Sequence, residues 1–149
     1  MTTTDQPRVY GGEFHANERN NPRTIIAAWV PNGARVLEVG PGDGVVGSWL
    51  TANKGCSVVG VEYVPEAAAA AASHFAHMIT GSIEDAQVQA QAAAFAPYDA
   101  IIFADVLEHL SRPEQVLAAC RQLLQPEGRL LISVPNAGYT GLIAELLEG

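Results

Sequence analysis

Short runs dominated by Val, Ile and Leu recur along the chain at residues 35–39, 57–61, 99–103 and 129–134, with a weaker run at 76–79. Each run is almost continuously apolar rather than alternating, which is the pattern of strands covered on both faces. Stretches of helical composition lie between them, at 45–53, 66–75, 86–95 and 113–124. Strands that alternate with helices of this length predict βαβ units, right-handed crossovers and a parallel sheet. The expected fold class is therefore α/β, a doubly wound and mostly parallel sheet.

The turn residues support that division. Asn21-Pro22 sets a capping side chain ahead of a proline at the first helical position, so a further helix is predicted to run to about Trp29, where Pro31-Asn32-Gly33 stops it. Pro65 and Pro113 open two more helices in the same way, and Pro126-Glu127-Gly128 reads as a turn into the fifth strand. The alanine tract at 67–72 reads as a closely packed helix, because alanine gives up no side-chain entropy on becoming helical. Trp29, Trp49 and Phe103 are expected in the core, and His74 and His77 are expected to be structural. Residues 1–8 are expected to be mobile, and 1–149 to form a single domain.

Charge and composition narrow the function. Sixteen acidic side chains face eight basic ones, a formal net charge of −8, and Lys54 is the single lysine. Nothing in that balance neutralises a phosphate backbone, so no nucleic-acid partner is expected. Cys56 and Cys120 stand far apart with no CxxC spacing, which favours a reducing, cytoplasmic setting. Charged residues interrupt every apolar run well short of a membrane span, and the start MTTTDQPR has no signal-peptide core.

The strongest chemical signal is Val36-Leu37-Glu38-Val39-Gly40-Pro41-Gly42-Asp43-Gly44, a strand ending in a glycine-rich turn that feeds a helix. Such a turn lets a ligand approach the backbone without meeting a Cβ, with helix N-terminal amides facing it. Glu62 closes the second strand about 20 residues later, where a carboxylate can accept both hydroxyls of a ribose. Residues 42–47 also match the G-x-G-x-x-G of dinucleotide folds, so a nicotinamide-dependent reductase is one reading. Against it, Glu38 and Asp43 put two acids where a pyrophosphate needs neutral amides. Acids there suit a cationic ligand carrying an amino group.

The run Glu38-x-Gly40-x-Gly42-x-Gly44 resembles motif I of class I S-adenosylmethionine-dependent methyltransferases, and the likeness continues in order down the chain. Val61-Glu62 resembles motif II, and Gly81-Ser82-Ile83-Glu84-Asp85 stands where the family often has Gly-Asp; residues 98–110 resemble motif IV, and residues 123–136 resemble the fifth-strand motif. D-V-L-E-H-L and S-V-P-N together resemble ubiquinone-biosynthesis-type O-methyltransferases and the methyltransferase modules found beside glycosyltransferases. The resemblance implies a Rossmann-like sheet, apparently lacking the last two of the usual seven strands, with S-adenosylmethionine as cofactor. It also implies methyl transfer to an oxygen or nitrogen of a small-molecule acceptor.

The implied cofactor-binding set is Glu38, Gly40, Gly42, Asp43, Gly44, Glu62, Ser82, Ile83, Glu84 and Asp105. Ser82 replaces the family's Asp, leaving the adenine contact to Ser82, Glu84 or the Ile83 amide. Asp105 either lies at the methionine end of the cofactor or caps a short helix starting near Val106. His109 is the candidate catalytic base. The spacing of Asp105, Glu108 and His109 also resembles a metal-binding segment of some O-methyltransferases, a site for Mg²⁺, Mn²⁺ or Zn²⁺ if all three share a helical face; no metal ligand is assigned. Tyr10, Phe14 and His15 are either a lid over the cofactor or a frayed tail. An unpaired fifth-strand edge implies a homodimer or a partner chain. The remaining alternative is a non-catalytic module that holds the cofactor for a partner.

Overall fold

A computed structural model of the chain describes residues 20–136. In chain order the elements are α1 (Pro22–Trp29), β1 (Arg35–Val39), α2 (Val45–Lys54), β2 (Ser57–Glu62), α3 (Pro65–Ala71), β3 (His77–Thr80), α4 (Ala86–Ala93), β4 (Tyr98–Ala104), α5 (Pro113–Arg121) and β5 (Leu124–Ser133). The five strands form one sheet in the order β3-β2-β1-β4-β5, every neighbouring pair parallel. The doubly wound α/β expectation is met. The chain builds outward from β1 to β3 and then crosses back to β4, so the strand order reverses between β1 and β4, the place where such sheets bind ligands. The expectations for residues 1–8 and for Tyr10, Phe14 and His15 lie outside the described residues.

Two cores explain the unbroken apolar runs. Val36, Val58, Ala100 and Ile102 face α1 and α2, where Ile26, Val30, Val46 and Leu50 cover them. Their neighbours Leu37, Val59, Ile101 and Phe103 face the other way, against Val88 and Ala92 of α4 and Val116 and Cys120 of α5. A strand buried on both sides has no polar face to alternate with. α1 is fixed at both ends: Asn21 Oδ1 accepts from the Arg23 amide at 3.0 Å, and Lys54 Nζ donates to the carbonyls of Ala27, Ala28 and Val30 at 2.8, 3.0 and 2.6 Å. A cation is favourable there, because the last carbonyls of a helix have no partner inside it.

Some boundaries differ from the sequence reading. The alanine helix ends at Ala71 and tightens into a 3₁₀ turn over Ala72–His74. β5 begins at Leu124, and the Pro126–Gly128 turn is a register irregularity inside it, with Leu124 opposite Tyr98 and Arg129 opposite Ala100. Trp29 is 60% exposed, contrary to its expected place in the core, because the buried stripe of α1 runs through Ile26, Ala27 and Val30. Phe103 is buried as expected, and Trp49 is partly buried against the α1–α2 core. Among the described residues β5 forms one edge of the sheet, with Ile132 and Val134 exposed along it.

Candidate functional site

The parallel strands all end on one side of the sheet, which brings the loop after β1, Glu62, the 81–85 loop and the 105–112 segment to a common edge. The three motif glycines all have positive φ, 66°, 56° and 74° at Gly40, Gly42 and Gly44, a conformation that side chains with a Cβ adopt at a penalty. Their surroundings separate them. A Cβ on Gly40 would meet Val106 Cγ2 at 2.7 Å, and one on Gly44 would meet Ala71 Cβ at 2.9 Å and Phe75 Cε2 at 3.0 Å. A Cβ on Gly42 would meet nothing within 4 Å. Gly40 and Gly44 therefore make room for the protein's own packing, whereas Gly42 turns toward open space. The loop is pinned by the Gly40 amide donating to Val61 O at 2.8 Å and the Gly44 amide donating to Pro41 O at 2.9 Å.

Glu62 is 6% exposed and stands directly against that open point. Its Oε2 accepts from the Gly42 amide and its Oε1 from the Val64 amide, both at 2.9 Å. Each oxygen keeps a lone pair for one further donor. Beside it Tyr63 is 73% exposed and Val64 is exposed, so apolar surface, aromatic in part, lies next to the carboxylate.

Two buried side-chain oxygens have no hydrogen-bond partner among the described residues, Glu38 Oε2 and Asp43 Oδ2, and both belong to this loop and its strand. Glu38 is 3% exposed, and burial raises its pKa to about 8; the Arg23 charge and the Gly47 amide oppose the shift, and Asp43 adds to it. Asp43 Oδ1 accepts from the Val45 amide at 3.3 Å. Orphaned carboxylate oxygens are costly to bury, and a cation or a donor offsets that cost.

The 81–85 loop is held by its own groups. Ser82 Oγ accepts from the Glu84 amide at 3.2 Å, Ser82 O accepts from the Asp85 amide at 3.0 Å, and buried Ile83 accepts from Gln89 Nε2 at 2.9 Å. Both oxygens of Glu84 accept from backbone amides of the 105–112 segment, Oε1 from Arg112 at 2.8 Å and Oε2 from Ser111 at 3.3 Å.

Asp105 does not cap a helix. It has φ 55°, and the short 3₁₀ turn that follows spans Leu107–His109 with Val106 as its first flanking residue. Ser133 holds Asp105 instead: Ser133 Oγ donates to Asp105 Oδ1 at 2.9 Å, and the Asp105 amide donates to Ser133 O at 3.2 Å. Because Asp105 lies outside the turn, the shared helical face of Asp105, Glu108 and His109 does not form. Among the described residues no three His, Cys, Asp or Glu side chains come together as metal ligands. His109 is exposed at the same edge.

Residues 14–148 match the family model described as a methyltransferase domain. The chain belongs to the class I S-adenosylmethionine-dependent methyltransferases. The chain is 38% identical over 109 residues to a ubiquinone biosynthesis O-methyltransferase of Xylella fastidiosa (strain M23), an alignment covering 70% of the chain and 43% of the relative. The chain thus spans less than half of that relative. In fold it is similar to a TehB-like SAM-dependent methyltransferase from Corynebacterium glutamicum, with TM-score 0.63, 23% identity, and coverage of 85% of this chain and 70% of the other. It is likewise similar to the N-terminal domain of EvdMO1, solved in the presence of SAH and D-fucose, with TM-score 0.60, 22% identity, and coverage of 80% and 56%.

Three residues around this candidate site were given no role in it by the sequence reading, Gly47 having figured only in the dinucleotide-type match over 42–47. Gly47, inside α2, admits Glu38 and Phe75: a Cβ there would lie 2.5 Å from Phe75 Cζ and 2.6 Å from Glu38 Oε2. A glycine in a helix interior signals such an approach. Tyr63 was legible as an aromatic directly after a strand-end acid. Ser133 had no local signal, since its partner is 28 residues away.

Proposed function

We propose that this domain transfers a methyl group from S-adenosylmethionine to an oxygen or nitrogen of a small metabolite, with a hydroxyl favoured by the O-methyltransferase relatives. The observation that carries this reading is the meeting of the Glu62 carboxylate and the Gly42 amide at the one point of the glycine loop open to a ligand. The residues fit the cofactor. Glu62 would accept from the ribose hydroxyls, the exposed Tyr63 beside it would offer the adenine an apolar surface, and Ser82 Oγ and the Ile83 amide would be the polar groups for its edge. The unpartnered Asp43 oxygen, with the buried carboxyl of Glu38 beneath the loop, suits a cationic amino group better than a pyrophosphate; this argues against the nicotinamide reading. Asp105, tied to Ser133 at the tips of β4 and β5, would border the methionine end.

When bound, S-adenosylmethionine supplies a methyl group already activated by its sulfonium. The chain's own work is then to orient the acceptor and to take its proton. His109 takes that proton at an imidazole nitrogen. No helix of the described residues is long and apolar enough to cross a membrane. The reading includes a cytoplasmic setting, supported by the unpaired buried thiols of Cys56 and Cys120, and a homodimer or partner chain across the β5 edge, supported by exposed Ile132 and Val134.

Calorimetry with S-adenosylhomocysteine and with NADH tests the cofactor; binding of NADH alone overturns the reading. Release of S-adenosylhomocysteine from S-adenosylmethionine is then followed with hydroxylated aromatic and amine acceptors. Activity that survives EDTA and is lost in His109→Ala supports the base. Cofactor binding with no turnover on any acceptor favours the non-catalytic module.

A further inference from the structure

The carboxylate of Glu84 joins two loops that are far apart in sequence. Its own loop, between β3 and α4, carries Ser82 and Ile83, and its backbone is fixed there through the Ser82 hydroxyl. Its oxygens reach 27 and 28 residues onward to the amides of Ser111 and Arg112. Those amides stand just before α5, whose N-cap residue, Arg112, makes no side-chain cap bond and whose first helical residue is Pro113. The start of a helix has amides without internal partners and a partial positive charge, and Glu84 supplies the acceptor and the negative charge from another loop. Immediately before Ser111 lies the 3₁₀ turn with Glu108 and His109, closed by the Leu110 amide donating to Leu107 O at 3.2 Å.

We propose that Glu84 is a positioning residue that latches the acceptor-side segment 105–112 to the cofactor-side loop 81–85, so that filling the cofactor site orders the segment carrying His109. The proposal rests on reading these loops as the two sides of a methyl-transfer site. A glutamine at 84 has the same length but only one acceptor oxygen, and its amide group would set a donor against an amide N–H. An aspartate keeps the charge but is one methylene too short to keep both bonds.

Hydrogen exchange of the parent and of Glu84→Gln, each with and without S-adenosylhomocysteine, tests the latch, together with calorimetry of the same ligand. In the parent the ligand slows exchange at amides 107–112. In Glu84→Gln the Ser111 and Arg112 amides exchange about tenfold faster or more. The ligand then no longer slows 107–112, although its affinity stays within about threefold of the parent, since both Glu84 oxygens are already engaged by the Ser111 and Arg112 amides. Turnover at saturating cofactor falls with cofactor KM unchanged, and Glu84→Asp lies between the two. A residue that merely stabilised α5 would speed exchange equally with and without ligand and leave the ligand's effect on 107–109 in place. That result overturns the latch, as does a tenfold loss of ligand affinity, which makes Glu84 a direct contact. A parent that binds no S-adenosylhomocysteine fails the methyl-transfer reading itself, and the latch with it.

Discussion

Glu38→Gln probes the buried carboxyl beneath the glycine loop. Burial holds the Glu38 pKa at about 8, against an ordinary 4.5, and outweighs the opposing Arg23 charge and Gly47 amide. In the unfolded chain the group ionises around 4.5, so between that pH and about 8 the folded chain keeps a proton that the unfolded chain has released. A raised carboxyl therefore contributes its full stability below the unfolded pKa and loses it as pH rises toward the folded one. The loss per pH unit for one proton is at most about 1.4 kcal/mol, which accumulates to a few kcal/mol across the window. Glutamine resembles the protonated acid and does not titrate, so the variant lacks this slope. Its second amide hydrogen finds no ready partner and lowers stability by about 1–3 kcal/mol at every pH, so the slope, not the absolute value, is diagnostic. Tyr98 and Cys120, pushed up by burial to about 12 and about 11, and Cys56, raised above 9.0, stay outside the window. Urea unfolding at steps from pH 5 to 8.5, at constant ionic strength, gives the free energy at each pH. Parallel pH profiles for parent and variant would falsify the assignment of a protonated Glu38.

Gly47→Ala gains about 1 kcal/mol of helix propensity but places a Cβ 2.5 Å from Phe75 Cζ and 2.6 Å from Glu38 Oε2. Overpacking of about 1–3 kcal/mol prevails, so the urea midpoint falls; a rise contradicts the packing described. Glu62→Ala weakens S-adenosylhomocysteine binding about tenfold or more by calorimetry, the worth of one charged hydrogen bond, and unchanged affinity removes Glu62 from the site. Lys54→Met leaves the carbonyls of Ala27, Ala28 and Val30 without their cation and lowers stability by about 1.5–3 kcal/mol, with ligand affinity unaffected. A shift below about 0.5 kcal/mol in the same urea assay shows that water replaces the ammonium without loss.

Features that depend on a few neighbouring residues were legible in the sequence. The runs at 35–39, 57–61 and 99–103 are apolar on both faces because a central parallel strand has helices on both sides, and that burial requirement is written locally. The Asn21-Pro22 start of α1 and the glycine turn after β1 are local for the same reason: a cap and a positive φ are properties of single residues. Fold class, cofactor loop and the strand-end acid Glu62 followed from these. Which glycine is left open did not follow, since the space at Gly40 and Gly44 is filled by Val106, Ala71 and Phe75 and that at Gly42 by nothing, and that depends on how distant segments pack. Nor did Trp29 on the surface, where a one-residue step around α1 separates it from the buried stripe. Asp105 turned to Ser133 and Glu84 turned to Ser111 and Arg112 are partnerships across 27 or 28 residues. Local spacing lists the donors and acceptors an acid carries along the chain, but only the tertiary structure brings one of them within 3 Å of a group it does not adjoin in sequence.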